Sequence, residues 1–299
     1  EENAKGKQPM NDQRGGFAGK ILYVDLTTHK ISQQPLDDEL AQKYIGGLGI
    51  CLKLAYDNMR PGTDALSHAN PIVLGAGPLV GTSLPSSSRV FAVTKLPSSS
   101  SVGWCGAGGV NFGYLFKNAG YDHVVIHGKS DHPVYLKIFN DQVEICDARS
   151  LWGKDVEETC RKLRQSFDSP VGIAAIGQAG ENRIRFSMAF IDGIATLGRG
   201  GFGAVMGAKN LKAIVVHGDQ GIGVVDRRRY KRLNKTFMQR IGDWPYLKES
   251  QELGLLKSFP LVPLDTYKKI KKRRIACVSC PIGCKDIVQI QDGPYKGLV

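Results

Sequence analysis

Three thiols fall within eight residues near the end of the sequence, in Cys277-Val-Ser-Cys280-Pro-Ile-Gly-Cys284. Gaps of two and three residues make this one chelating loop, and Pro281 and Gly283 let it turn tightly and aim backbone N–H groups at sulfur. An iron-sulfur cubane takes four Cys thiolates. The loop supplies three, and no further Cys follows before Val299, so the chain reads as part of a larger redox protein. Zinc is the competing reading, because Cys-x-x-Cys pairs occur in zinc knuckles, although no second Cys or His pair follows downstream. A purely structural role is the third. Cys51, Cys105, Cys146 and Cys160 are scattered, and seven cysteines form no paired framework. The expectation is therefore a reducing, cytoplasmic setting rather than a disulfide-stapled secreted protein.

Glycine-rich segments are the second chemical signal, with 36 glycines among 299 residues against a usual share of about 7%. Ile176-Gly-Gln-Ala-Gly-Glu-Asn182 and Leu197-Gly-Arg-Gly-Gly-Phe-Gly-Ala-Val-Met-Gly207 place unhindered amides near Arg183, Arg199, Lys209 and Lys212. That combination suits an anionic ligand. Gly198-Arg-Gly200-Gly-Phe-Gly203 also fits G-x-G-x-x-G, and Asp219 lies at nearly the right distance. Phe186-Ser-Met-Ala-Phe-Ile191 is nevertheless a poor first strand for a dinucleotide fold, because Asp192-Gly-Ile-Ala-Thr-Leu197 intervenes. No G-x-x-x-x-G-K-[ST] loop is present.

The elements that must carry these loops can be read from pattern. Residues 20–26 alternate as a strand, 27–30 turn, and 31–33 begin a partner strand, a hairpin. A helix capped by Asp37 runs to Gly46-Gly47. An apolar run over 71–81 and a strand over 89–95 flank the small, polar segment 82–88. Residues 103–113 contain five glycines and open an amphipathic stretch through Leu115, Phe116 and Ala119, and strands follow at 121–128 and 134–138. Val124-Val-Ile-His-Gly128 and Ile214-Val-Val-His-Gly218 are near copies, each preceded by a glycine loop, Gly106-Ala-Gly-Gly109 in one case and Gly198-Arg-Gly-Gly201 in the other. Either strands ending in a turn glycine simply look alike, or two related halves form a pseudo-symmetric β domain whose loops reach the two halves of an elongated ligand. His127 and His217 read as strand-end residues rather than metal ligands.

Composition bounds the remaining classes. The chain is globular, with 42% hydrophobic residues. It has no apolar run near the roughly 20 residues of a membrane span, and residues 1–16 read as a disordered polar tail without signal-peptide order. A net charge of +12 raises nucleic acid as a partner, but the cations are not interleaved with stacking aromatics. They concentrate in Lys268-Lys-Ile-Lys-Lys-Arg-Arg274, immediately before the thiol loop, and in Arg227-Arg-Arg229. A solvated helix face and a collar steering an acidic electron acceptor are the two readings of that run.

Taken together, Gly75-Ala-Gly-Pro-Leu-Val-Gly-Thr82, Arg89 followed by Val93-Thr-Lys95, Ala119-Gly-Tyr-Asp122, Ala175-Ile-Gly-Gln-Ala-Gly-Glu-Asn182, Gly198-Arg-Gly-Gly-Phe-Gly-Ala-Val-Met-Gly-Ala-Lys-Asn-Leu-Lys-Ala213 and the Cys277-to-Cys284 loop resemble the aldehyde ferredoxin oxidoreductase family, with order and spacing agreeing over residues 17–294. The resemblance implies an α+β chain. Residues 17–222 become an N-terminal double β-sheet domain binding a tungsten or molybdenum bis-pterin, and 223–299 the incomplete start of a mainly helical iron-sulfur domain. It makes Arg89 a contact to pterin phosphate or ring. Gly106, Ala107 and Gly108 form one arm, and Thr196, Gly198, Arg199, Gly200 and Gly201 the other, touching the pterins and a Mg2+ that bridges their phosphates. Cys277, Cys280 and Cys284 become three of four [4Fe-4S] ligands.

The implied reaction is oxidation of an aldehyde to a carboxylic acid with electrons passed to ferredoxin. The alternatives are an aryl-CoA reductase subunit or a non-catalytic split or truncated cofactor-binding or electron-transfer subunit. The implied partners are ferredoxin or an iron-sulfur subunit, and other chains in an oligomer or hetero-complex. The sequence departs from the family at Gly106, where some members carry Asn, and at Ala195, where some carry a basic residue. The span 243–275 is shorter than usual. The fourth cysteine, the substrate pocket and the proton-transferring groups of the family fall beyond residue 299.

Overall fold

The computed structural model describes residues 15–254 and 263–299; most of the polar segment 1–16 and part of the span 243–275 lie outside them. The chain divides into two compact units, one containing residues 15–82 and 88–226, the other Ser83–Ser87 and Arg227–Val299.

The first unit is a sequence of two matching halves. The first half runs β1 (Lys20–Asp25), β2 (Lys30–Pro35), α1 (Asp38–Tyr44), α2 (Leu48–Asn58), β3 (Ile72–Ala76), β4 (Val90–Lys95), β5 (Val102–Ala107), α3 (Phe112–Asn118) and β6 (His123–His127). The second runs β7 (Val134–Phe139), β8 (Gln142–Asp147), α4 (Val156–Gln165), β9 (Gly172–Ala175), α5 (Gln178–Glu181), β10 (Ala189–Ile191), β11 (Ala195–Leu197), α6 (Phe202–Ala208) and β12 (Leu211–His217). Each half folds into a six-stranded mixed sheet, ordered β2-β1-β6-β3-β4-β5 and β8-β7-β12-β9-β10-β11. Replacing each strand of the first sheet by the one six places later reproduces the second, including the single parallel pairing, β1 with β6 and β7 with β12. The two near-identical runs seen in the sequence are β6 and β12, equivalent central strands. The reading of two related halves therefore holds at the level of topology, and His127 and His217 do end their strands.

Burial explains why the halves fold alike. β3 and β9 are apolar and buried, and β6 and β12 are buried up to their terminal His, with His123 and Lys212 as buried polar members, the pattern of strands covered on both faces. Ile50, Cys51, Leu54 and Ala55 of α2 pack on Val73, Val93 and Val125 of the first sheet. Cys160 and Leu163 of α4 pack on Ile173, Ala175, Ala213 and Val215 of the second. Local signals start the helices: the Asp37 side chain accepts from Glu39 N at 2.6 Å and Asp155 from Glu158 N at 2.7 Å. The halves are joined by α3, which lies against β9 and β12 of the second sheet. A Cβ on Gly172 would strike Phe112 backbone, and one on Gly218 would strike the Asn118–Ala119 peptide. Asp192 ties the same joint, its carboxylate accepting from Asn111 N at 2.9 Å, Phe112 N at 3.1 Å and Ile173 N at 2.8 Å.

One expectation is revised. The glycine loop read at 106–109 is strand at its start, because β5 occupies 102–107 and pairs with β4 from Lys95↔Val102 to Val90↔Ala107. The Leu96 side chain fills the space over Gly103, which lets a glycine-rich segment hold a strand. The G-x-G-x-x-G segment joins β11 to α6 and then β12, but β12 pairs with β9 and β7 rather than β11. The adjacent parallel strands of a dinucleotide unit are thus absent there.

The second unit contains α7 (Arg227–Gly242), α8 (Leu247–Leu253), α9 (Leu264–Ile270) and a hairpin of β13 (Lys271–Ile275) and β14 (Lys285–Val288). The basic run 268–274 is split between the end of α9 and β13, so it is not one helix face. Lys271 is spent internally, bonding Gln251 O, Glu252 O and Asp286. Among the described residues, no helix is long and apolar enough to cross a membrane.

Candidate functional site: two glycine arms and a thiol loop

Both arms predicted from sequence lie in the first unit, at equivalent ends of the two sheets. Gly106-Ala-Gly-Gly109 follows β5 and precedes α3; Gly198-Arg-Gly-Gly201 follows β11 and precedes α6. In the first arm, Phe91 sits opposite Gly106 across the β4–β5 ladder. A Cβ on Gly106 would stand 3.1 Å from Phe91 Cε1 and 3.3 Å from Arg89 Nη1. The exposed Arg89 guanidinium therefore lies over bare backbone. Gly109 and Gly113 wrap the Ser88 carbonyl so closely that neither accepts a side chain. Gly108 continues this arm beyond Ala107, the buried last residue of β5.

In the second arm, Thr196 points outward from β11 and Arg199 is exposed. A Cβ on Gly198 would lie 3.2 Å from Thr196 Oγ1 and 3.7 Å from Met188 Sδ. Gly200 and Gly201 adopt φ of +91° and +87°, and a side chain on Gly201 would run into the Arg185 carbonyl. Only glycine meets both conditions. The result is a glycine-lined turn beside one exposed arginine, a residue set of the kind that can offer donors to an anion.

The arms are brought together, since β5 and β11 lie edge to edge. The Cys105 thiol donates to the Arg199 carbonyl at 2.8 Å, Ser98 N donates to Gly200 O at 3.3 Å, and the Leu96 side chain packs on Gly103 and Gly200 alike. Sequence reasoning left Cys105 among the scattered cysteines and did not single out Phe91, Leu96 or Asp192. The usable signal was its place directly before the first glycine arm, where a small residue in an edge strand faces whatever abuts that edge.

Two of the four cations noted beside the glycine segments serve the fold instead. Lys209 Nζ, wholly buried, donates to His68 O and Gly128 O at 2.9 Å each, and burial pushes its pKa down to about 7. Lys212 Nζ is buried against Glu181 and bonds Lys154 O at 2.8 Å. Arg183 and Arg199 remain exposed.

The thiol loop belongs to the second unit. The β13–β14 hairpin closes it through Ile275↔Lys285 and Arg274↔Asp286. Cys280 N bonds Cys277 O at 3.0 Å, Ser279 and Gly283 turn at φ of +58° and +59°, and the Arg274 stem covers Gly283. Cys277, Cys280 and Cys284 are all half-buried. Burial, with smaller contributions from Cys277 and Cys280 against an opposing Lys285, pushes the Cys284 thiol up. Ser86 Oγ lies 3.5 Å from Cys280 Sγ. Among the described residues, no three His, Cys, Asp or Glu side chains are gathered tightly enough to hold a single metal ion.

Comparison with known proteins follows this geometry. Residues 21–218 match the family model described as aldehyde ferredoxin oxidoreductase, N-terminal domain, a span that takes in both sheets and both glycine arms. The chain is 36% identical over 294 residues to a tungsten-containing aldehyde ferredoxin oxidoreductase of Pyrococcus abyssi, and 36% identical over 294 residues to that of Pyrococcus furiosus. Each alignment covers 90% of this chain and 48% of the relative. Among solved structures it is similar to the active site complex BamBC of benzoyl coenzyme A reductase with bound 1,5-dienoyl-CoA, at a TM-score of 0.83 and 29% identity, covering 94% of this chain and 48% of that one. The chain thus spans about half the length of the relatives it matches. With the paired sheets, their glycine arms and the family model in agreement, the chain belongs to the aldehyde ferredoxin oxidoreductase family, through its N-terminal domain.

Proposed function

We propose that this chain is the cofactor-holding portion of a tungsten–pterin oxidoreductase that converts an aldehyde to the carboxylic acid and delivers the electrons, by way of an iron-sulfur cluster, to ferredoxin. The observation that carries the reading is the meeting of two equivalent glycine arms, each with an exposed arginine, along one β5–β11 edge. A bis-pterin has two similar phosphorylated halves, and a duplicated platform offers each half the same backbone. Arg89 and Arg199 supply forked donors suited to phosphate. The amides of Gly106, Ala107 and Gly108 and of Gly198, Gly200 and Gly201 supply the remaining hydrogen bonds, with Thr196 adding a hydroxyl. Carbonyls of the same arms are the oxygen ligands available to a bridging Mg2+.

When bound, the metal–pterin group supplies the two-electron redox chemistry, while the chain fixes its orientation and limits water. Cys277, Cys280 and Cys284 suit three positions of a [4Fe-4S] cluster by residue type and by lying in one closed loop. The charge of +12 and exposed Lys268, Lys269, Lys272 and Arg273 beside the thiol loop favour an acidic electron acceptor. A cytoplasmic setting, in which such thiols stay reduced, completes the reading.

A second reading is favoured by the fold match to the benzoyl coenzyme A reductase complex: a subunit acting on an aryl-CoA within a hetero-complex. Anaerobic purification of the native assembly tests both. Tungsten or molybdenum, released pterin and iron with aldehyde-dependent dye reduction support the first reading. Activity confined to dienoyl-CoA oxidation supports the second. Absence of pterin and of both metals overturns the platform assignment.

A further inference from the structure

The two glycine arms are topological equivalents, yet the contact that joins them is one-sided. Gly106 corresponds to Gly198, so Cys105 corresponds to Leu197 and Arg199 to Ala107. Leu197 has no donor to give the first arm. Cys105, only 4% exposed, donates its thiol proton across the joint to the Arg199 carbonyl at 2.8 Å. The peptide that it grips lies between Gly198 and the two positive-φ glycines Gly200 and Gly201, a segment with almost no torsional restraint of its own. Leu96 packs against that segment from below, and Ser98 N holds Gly200 O at 3.3 Å. Neither fixes the Arg199 peptide itself. Burial pushes the Cys105 thiol up, which keeps it a donor rather than a thiolate, inert toward metal and oxidant.

We propose that Cys105 is a positioning residue: its S–H···O=C bond to Arg199 holds the second arm in register with the first, so that the Arg89 and Arg199 guanidinium groups face the two ends of one diphosphorylated ligand. The inference rests on the platform reading above and adds the residue that sets the spacing of its arms. A hydroxyl reproduces the donor; an aliphatic side chain fills the space without it.

The test uses anaerobically purified full-length protein with Cys105→Ser, Cys105→Ala and Cys105→Val. Release of pterin is followed by fluorescence and release of tungsten or molybdenum by elemental analysis. The Ser variant should retain the cofactor like the parent. Ala and Val should release it about fivefold faster, the consequence of losing one hydrogen bond, irrespective of their thermal midpoints. A Val variant as retentive as the parent, or a Ser variant as leaky as Val, overturns the proposal. Should the aliphatic variants fail to fold, the S–H stretch of the unsubstituted protein, assigned by its loss in Cys105→Ser, decides. A band lowered by hydrogen bonding supports the role, and one at the free-thiol position refutes it. Parent protein without pterin, tungsten or molybdenum sinks the platform reading and this inference with it; a loaded parent with an indifferent Val variant sinks this inference alone.

Discussion

Arg89 and Lys209 show how the same nominal charge is put to opposite uses. Arg89 is exposed above Gly106, with its fork open to a ligand. Replacing it with Lys keeps the charge and loses the planar pair of donors, so pterin content per chain should fall severalfold in Arg89→Lys, measured on purified protein against the parent. Lys209 is buried among carbonyls, and its pKa drops from 10.5 to about 7 through burial, which the more distant Asp25 only partly opposes. The unfolded chain keeps that proton to about pH 10. Between about pH 7 and pH 10 the unfolded state therefore binds more protons than the folded one, and stability rises with pH across that window. Below about pH 7 both states are protonated and this contribution is flat. Lys209→Met should remove the rise, visible as a flattened difference between the pH profiles of denaturation midpoints. A parallel offset at every pH would refute the assignment.

At the scale of elements, α3 is the seam of the first unit, because it follows a strand of the first sheet and packs on strands of the second. Gly218 meets the Asn118–Ala119 peptide at contact distance, so a methyl group has nowhere to go. Gly218→Ala should destabilise the protein by about 2 kcal/mol or more, measured by chemical denaturation. Asp192 tests the same seam through hydrogen bonds. It is buried, with burial raising its pKa and the Ile173, Asn111 and Phe112 amides opposing that rise. Asp192→Ala strands the buried Phe112 and Ile173 amides and the part-buried Asn111 amide and should cost about 3 kcal/mol. Gly172 and Gly218 carried no signal in the sequence beyond their identity, because a close approach between helix and sheet depends on residues 60 to 100 positions away. The revision at 106–107 from loop to strand has the same origin: β5 exists because β4 offers a ladder and Leu96 fills the room left by Gly103.

For the molecule as a whole, charge is the property with consequences beyond any single contact. Of the basic run before the thiol loop, Lys271 is engaged with Asp286 and two carbonyls, leaving Lys268, Lys269, Lys272, Arg273 and Arg274 exposed. Neutralising the first four, and sparing the Arg274 stem that covers Gly283, should flatten the ionic-strength dependence of electron delivery to an acidic acceptor in the intact enzyme. An unchanged dependence would show that the acceptor docks elsewhere. The duplication of the first unit is the other whole-molecule feature, and it is the basis on which a ligand of two like halves is proposed.

The sequence by itself determined the chemistry on offer: three thiols in one loop, two glycine arms with their arginines, and the family those motifs define. It also held a trace of the duplication, since β6 and β12 are central strands whose burial on both faces leaves little freedom to diverge. Only the tertiary structure decided which cations are free and which are spent, for Lys209, Lys212, Arg183 and Arg199 look alike as letters. It alone set the arms side by side and made Cys105 the donor between them. The reason is physical: backbone conformation and residue chemistry are local properties, whereas burial and partnership arise from contacts between segments separated by about a hundred residues, as in the bond from Cys105 to Arg199.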